Sequence, residues 1–547
     1  MRKTPRDPNM MLSMNSSPHA TTFLTTNSSP PADGFFQGYC FHGTDYIFGQ
    51  EGVNEFEDTT GQNISGGLDG CYALARRDGD SFIFTNDYAG YKLLYYYHDG
   101  STWAVSNSLA QIVDHLRALG IRILPNYSQL SAALSDGSAS SQLFSFETTV
   151  RNIRLAPRAT DLVVTPDRVV LAQRPGFKKE EYGAGLSRHL DLWAGRFETL
   201  ILDDEVGVTT DITGGVDSRT NFGLLALAKR RLGGVGSYPR LNCGSTPTNT
   251  EDLDVALKLG EHYGLEINDE RRFPRYNLTP EECYQTFRDL NVGVSYTLYM
   301  PVEGPTPRKI SFGGGGGEIH RKFYEGHIKT KDVERFFSSY GSRLKYPWLS
   351  QEYTRDGRDA LEFATRPGTD PLRVHYREFR HRYHVGRTPR YGVSFTPLDS
   401  VTADLTQSQA GQDRLDDGQF NYDVLASLDP ELLEMPFDKP SKAPNPQVQD
   451  RLTRVEVSQD ARPGRVWAPQ PEPRKVNRSA PKRNAVLANA VEAALEDPFV
   501  TTFWGREAAD SATDLLTQLL DGRNIGNAVN GKPISALLAA HLVSPSV

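Results

Sequence analysis

Thr209-Thr210-Asp211-Ile212-Thr213-Gly214-Gly215-Val216-Asp217-Ser218-Arg219 is the stretch that decides the fold of this chain. An alternating apolar run (Val206, Val208, Thr210, Ile212) stops at two glycines, and an amphipathic run from Phe222 to Leu232 follows. Strand, glycine turn and helix in that order predict an α/β unit. Gly214 and Gly215 let backbone N–H groups close on an anion with no Cβ between, and the new helix turns its positive end toward it. The hydroxyls of Thr213 and Ser218 can donate to phosphate oxygens. Asp217 sets an anion where phosphate would lie, which makes sense with Mg²⁺ between them. The Gly-Lys-Ser/Thr ending of a Walker A loop is missing. Taken alone, the stretch also reads as an ordinary Gly-Gly turn between a strand and a helix.

Two further segments stand at suitable distances. In Cys243-Gly244-Ser245-Thr246-Pro247-Thr248-Asn249-Thr250-Glu251-Asp252, a strand over Val235–Asn242 ends in a polar loop. A helix then starts at an Asn/Thr cap with acids in its first turn. Leu253, Leu257 and Tyr263 are expected on one face of it. In Ile310-Ser311-Phe312-Gly313-Gly314-Gly315-Gly316-Gly317-Glu318-Ile319-His320-Arg321, five glycines follow a short strand. A floppy linker is the plain alternative, because such a run is costly to order. The next residues, Glu318 to Tyr324, look like a helix start.

The first loop resembles the SGGxDS pyrophosphate loop of the ATP pyrophosphatase superfamily, with Thr213 for the first Ser. The glycine run resembles the G-x-G-x-D-E loop of asparagine synthetases and β-lactam synthetases. The resemblance implies that ATP is held by Thr213, Gly214, Gly215, Asp217 and Ser218, by Gly244 after the second strand, and by Gly313 and Gly315. It implies Asp217 as a Mg²⁺ ligand and Glu318 as the group that takes a proton from the attacking amine. Gly317 falls on the family's second metal aspartate, and Gly314 on the tyrosine that β-lactam synthetases carry. Arg387 to Asp399 resembles an R-x-P-F-L-D element that shapes the substrate side; Asp399 also reads as a cap for a helix at Val401–Leu405. A late lysine usually faces pyrophosphate, and Lys439 and Lys442 both qualify; an exposed lysine is the ordinary alternative for either.

Asp69 to Ala75, Thr85 to Tyr96, Ala104 to Leu109 and Phe146 to Pro157 resemble the "DGxFA", "RDxxGxxPLYY", "SxxL" and exit elements of the glutaminase-like domain of asparagine synthetases. Period-two runs with Gly, Asn and Asp turns predict a β-rich domain independently. Working glutaminases of this class need cysteine at residue two; here it is Arg2. Cys40 and Cys71 lie inside strand-like runs. The expectation is a glutaminase fold without glutaminase chemistry, as in β-lactam synthetases.

At 547 residues with a net charge of −8, the chain suits a multidomain protein and not a general nucleic-acid surface. Its four cysteines (40, 71, 243, 283) form neither a metal spacing nor a disulfide framework, so a reducing cytoplasm is expected. No run has the ~18 apolar residues of a membrane span. The expected fold class is α/β: an Ntn-hydrolase-type αββα sandwich, then a parallel-sheet domain of the PP-loop type. Expected boundaries are a disordered tail at 1–33, the glutaminase-like domain at 34–175, the synthetase domain at 176–440, a Pro-rich irregular segment at 441–484 and helices at 485–547. Leu186, Leu190, Trp193, Phe197, Leu200 and Ile201 predict the helix entering the second domain. The last helices are expected at Ala485–Leu495, Glu507–Leu520 and Ile534–Leu542. They pack on the synthetase domain or on a second copy in a homodimer, plain core packing being the simpler outcome.

The expected activity is amide-forming: a carboxylate attacks the α-phosphorus of Mg²⁺-bound ATP, and a small-molecule or peptide amine then takes the acyl group, within one molecule or between two. An ammonia-dependent asparagine synthetase and a non-catalytic binding or assembly protein are the alternatives.

Overall fold

The structure, a computed structural model, describes residues 19–545 except 33, 136, 138, 140, 177, 179, 245–249, 322–323, 325–331, 367–368, 412–413, 415–416, 477–478 and 524–529. The described residues form an antiparallel sandwich, a parallel-sheet domain and a helical carboxyl-terminal layer.

Two sheets make the sandwich. One runs Leu24–Thr26 (β1), Trp103–Ser106 (β7), Tyr95–His98 (β6), Ile153–Leu155 (β8). The other runs Val169–Gln173 (β10), Thr160–Val164 (β9), Ser81–Asn86 (β5), Asp69–Asp78 (β4), Gly34–His42 (β2), Asp45–Phe48 (β3), Val466–Trp467 (β15). Alternation sorts the side chains of β4: Ala73 and Ala75 face the other sheet with Phe84, Trp103 and Val105. Tyr72 and Leu74 face the opposite way, under helix Gly49–Thr60 (α1) through Val53 and Phe56. Helix Leu109–Ala118 (α2) covers the outer face of the smaller sheet with Ile112 and Leu116 against Tyr95 and Tyr97. The layers are therefore helix, sheet, sheet, helix.

The inner face of the larger sheet extends beyond the smaller one. Its exposed end, Tyr39, Phe41, Tyr46 and Phe48, joins the core of the second domain, where the Phe41 and Phe395 rings lie 4.5 Å apart. Helix Tyr182–Ile201 (α3) leads into that domain. The six apolar residues expected along it are all fully buried, each at most 1% exposed. Four parallel strands follow in the order Arg240–Asn242 (β12), Gly207–Asp211 (β11), Lys309–Phe312 (β13), Val393–Phe395 (β14). Helix Val216–Arg231 (α4) follows β11 and Glu251–Tyr263 (α5) follows β12. The chain thus leaves β11 to one side for β12 and returns on the other side as β13. Open α/β sheets bind ligands beyond the carboxyl ends of strands at such a reversal.

Several expectations need correction. The tail expected to be disordered through residue 33 is ordered from His19 among the described residues. β1 pairs with β7, and Phe23 is 2% exposed in the sandwich core. Apolar pairing and three buried partners for Thr21 and Thr22 carbonyls outweigh the polar composition. The strand expected over Val235–Asn242 keeps three residues, because Gly236 has positive φ and Val235 is 63% exposed. In α5 the buried stripe is Asp252, Val255, Ala256, Leu259 and Gly260, whereas Leu257 is 49% exposed.

The segment at 441–484 is mostly irregular, yet β15 pairs in parallel with β3. The last helices are Ala480–Leu495, Pro498–Leu520 (kinked at Gly505) and Lys532–Leu542. They share a core with α2 and with helix Pro280–Asn291, and the Trp504 indole donates to the Ala536 carbonyl at 3.0 Å. No described helix is long and apolar enough to cross a membrane.

Candidate functional site

At the carboxyl end of β11 the loop is held by its own hydroxyls. Ser218 Oγ accepts from the Thr213 N–H at 3.1 Å and meets Thr213 Oγ1 at 3.0 Å; Thr213 Oγ1 accepts from the Gly215 N–H at 3.3 Å. From α5, Asp252 Oδ1 accepts from the Gly214 N–H at 2.8 Å. The Asn/Thr cap expected for α5 is absent at Thr250, whose side chain caps nothing; Asn249 and the rest of 245–249 lie outside the described residues. Gly244, just before them, has open space where a Cβ would stand.

Residues 432–442 close over the loop. Arg219 reaches back to the Leu432, Met435 and Pro436 carbonyls, and its guanidinium lies 3.8 Å over the Phe437 ring. That clamp brings Asp438 onto Gly214: a Cβ there would stand 2.4 Å from the Asp438 Cβ. Lys442 Nζ donates to Asp438 Oδ2 at 2.7 Å and lies 3.7 Å from the Cβ position of Gly215. Of the two lysines, Lys442 therefore borders the loop. Lys439 is exposed and makes no side-chain hydrogen bond or ion pair among the described residues.

The glycine run crosses the same strand ends. Asn221 of α4 donates to the Gly313 carbonyl at 2.9 Å, and the Gly314 Cβ position is 3.4 Å from Ser218. Gly315 abuts Val385, and Gly316, at φ 98°, abuts Thr396 and the Asp399 backbone. Packing on three sides removes the linker alternative. Gly313 alone in the run faces open space. At Gly317 a Cβ would stand 2.0 Å from Asp217 Oδ1. The Asp217 carboxylate thus fills the space that a side chain at 317 would need.

Glu318 lies in a four-residue 3₁₀ turn, Gly317–His320, and not at an α-helix start as expected. Among the described residues, Asp217 Oδ1 and Glu318 Oε2 are both buried without a hydrogen-bond partner. Arg321 spans the two acids, 3.7 Å from Asp217 and 3.9 Å from Glu318. Burial pushes the Asp217 carboxyl up to about 7; Arg321 and Lys442 oppose the rise and Glu318 adds to it. The unpaired oxygen of Asp217 fits Mg²⁺ that arrives on a nucleotide, since this ion binds through one or two carboxylates plus phosphates. No described group of three or more His, Cys, Asp or Glu could hold a metal on its own.

Asp399 caps no helix; Ser400 does, accepting from the Ala403 N–H. Asp399 is buried against Tyr91 of the sandwich at 2.5 Å, His381 at 2.8 Å and Arg377 at 3.5 Å. Burial raises its carboxyl, but His381, Arg377 and the Tyr91 hydroxyl outweigh burial and hold it well below the usual range. Through Gly316 this network fixes the glycine run to the first domain.

In that domain Cys40 and Cys71 are buried in mid-strand, and burial pushes both thiols up, far from the reactive range. A chain start at Cys40 would cut β2 within its pairing to β3 and β4.

Sequence reading missed Asp252, Asp438, Arg219 and Arg321. Asp252 carried a signal, an acid in the first turn of the helix next to the loop. Arg219 and Arg321 end the two stretches read for the loops, where an arginine carries no pattern of its own, and Asp438 lies far along the chain from the loop it meets. Comparison with protein-family models and with curated proteins gives no match.

Proposed function

We propose that the protein is an ATP-dependent, AMP-forming C–N ligase that activates a carboxylate as an acyl-adenylate and transfers the acyl group to an amine. The observation that carries this reading is the meeting of two glycine loops at the strand-order reversal, with the unpaired oxygens of Asp217 and Glu318 beside them. On this reading the second domain is of the PP-loop ATP pyrophosphatase type. The sandwich is a glutaminase-like fold that serves as scaffold.

The chain's groups divide the work. Thr213, Ser218 and the Gly214–Gly215 backbone cradle the β- and γ-phosphates, and Lys442 leaves Asp438 to offset charge on departing pyrophosphate. Asp217 would hold Mg²⁺ arriving on the nucleotide, and the ion would supply charge neutralisation there. Gly313 leaves room for the nucleotide and its acyl group, and the rigid loops hold acid and amine in reacting order. Glu318 Oε2 accepts the amine proton. ATP–pyrophosphate exchange driven by a panel of carboxylic acids tests the reading; exchange with none of them, despite ATP binding, would sink it. The second reading is a non-catalytic binding protein, favoured by Gly317, which leaves the site two acids and a bridging Arg321.

A further inference from the structure

Arg321 hangs over the two acids of the site and bonds to neither. Its Nη2 lies 3.7 Å from Asp217 and 3.9 Å from Glu318, beyond hydrogen-bond length. Among the described residues the guanidinium makes no side-chain hydrogen bond, and 47% of the side chain is exposed. Its fork of N–H donors is therefore open to the cleft. The other arginine at the phosphate loop, Arg219, spends its donors on the Leu432, Met435 and Pro436 carbonyls. Helix Gln419–Leu428 sets Arg321 in place: the Cβ position of its N-cap, Gly418 at φ 69°, is 3.7 Å from the Arg321 Cβ. Tyr422 of that helix lies within electrostatic reach of Arg321 and Asp217 and donates to the Lys442 carbonyl at 3.1 Å. One helix thus supports both cations, Arg321 and Lys442, that act on Asp217.

The other acids around the loop are committed. Asp252 accepts from the Gly214 N–H, Asp438 pairs with Lys442, and Asp399 is held by His381, Arg377 and Tyr91. Asp211 lies within electrostatic reach of Cys243, on the β12 side of the loop. Position 317 has no room for a carboxylate, because that of Asp217 fills its side-chain space. Asp217 is left as the one acid for a metal at the phosphates, with Glu318 reserved for the amine proton. A triphosphate held by one Mg²⁺ and Lys442 keeps an excess of negative charge, and more develops as the α-phosphorus is attacked. The planar arginine fork gives phosphate oxygens two parallel hydrogen bonds, and an arginine on a reacting phosphoryl group stabilises the charge that develops there. We propose that Arg321 contacts the phosphate oxygens of the nucleotide and supplies the charge of a second metal ion, so that the site works with one. The long distances to Asp217 and Glu318 leave it free to turn from the acids to the phosphates as they enter. This assignment deepens the ligase reading above and rests on it.

Two measurements on the full chain test it, both with α,β-methylene-ATP, which cannot be cleaved at the α-phosphorus. With the analogue kept below the protein concentration, Mn²⁺ in place of Mg²⁺ is counted by electron paramagnetic resonance. One ion per bound nucleotide is expected; a second ion, or none, overturns the assignment. By calorimetry in Mg²⁺, Arg321→Gln should bind the analogue about ten-fold more weakly or worse, a difference of about 1.4 kcal/mol, and bind adenosine as the wild type does. An arginine that only bridges the two acids would leave the analogue's affinity unchanged or weaken adenosine equally, and either result overturns the assignment. The manganese count needs no variant and decides the matter where Arg321→Gln fails to fold. Weakened analogue binding in Arg321→Gln, with exchange for no acid in the wild type, would sink the ligase reading and leave Arg321 on the phosphates. Exchange in the wild type, with analogue affinity unchanged in Arg321→Gln, would do the reverse.

Discussion

Asp217 holds an unfavourable place: a buried carboxylate with one unpaired oxygen among the described residues and Glu318 nearby. Its pKa, pushed up to about 7, lies above the unfolded value, so ionisation costs stability. The sign follows. Below the unfolded value near 4 both states are protonated and there is no cost; the cost grows as pH rises to about 7 and is level beyond. Asp217→Asn should therefore be more stable than the wild type in EDTA, by roughly 2–4 kcal/mol at pH 8 and by little at pH 4. Thermal melts across that range measure the difference, and a constant difference would exclude the titration. The same variant should lose exchange by roughly 10²-fold or more, the scale of one transition-state contact. Glu318→Gln separates the two chemical steps. Exchange should survive and amide formation should fall; loss of both would move Glu318 from proton acceptor to metal ligand.

Loops, more than side chains, give the site its shape, and their glycines can be told apart by what surrounds them. Gly214→Ala drives a methyl into Asp438, so both the melting temperature and exchange should drop. Gly313→Ala meets open space. It should leave the melting temperature unchanged and still cost exchange about ten-fold or more, because the methyl then stands where the nucleotide passes. Unchanged exchange in Gly313→Ala would remove the glycine run from the nucleotide path. This contrast also marks what was legible in the sequence. Thr213 to Ser218 was readable because its hydrogen bonds close within six residues. The helix α3 was readable because one apolar face repeats over twenty residues. Asp252, 38 residues from Gly214, showed only as an acid in a first helical turn, and Asp438 not at all, because the fold alone brings them to Gly214. Glu318 was found by its neighbours in sequence, but its 3₁₀ turn was not, since tight packing of Gly315 to Gly317 overrides the local helical pattern.

Across the whole molecule the sandwich acts as a buttress for the parallel-sheet domain, through Phe41 on Phe395 and Tyr91 on Asp399. Glutamine should therefore not serve as nitrogen donor, and Cys40→Ala should cost about 1 kcal/mol of stability and no activity. Glutamate released from glutamine by the wild type and not by Cys40→Ala would contradict this. The ordered stretch before β2 makes a related claim. Phe23→Ala should destabilise the protein by about 3–4 kcal/mol, as for a buried core aromatic. A surface-like change below 1 kcal/mol would return that stretch to a tail. The pairing of β15 with β3 carries one more consequence, in the order of synthesis. Arg465 supplies a carbonyl to the Tyr46 N–H at 2.9 Å, and the Trp467 indole donates to Asp45 at 3.1 Å. The Trp467 backbone also rests on Gly52 of α1. A nascent chain therefore exposes an unfinished sheet edge at β3 until residue 467 leaves the ribosome. Through that interval the sandwich waits for the last described strand, and it is then that a holding chaperone has an edge to bind.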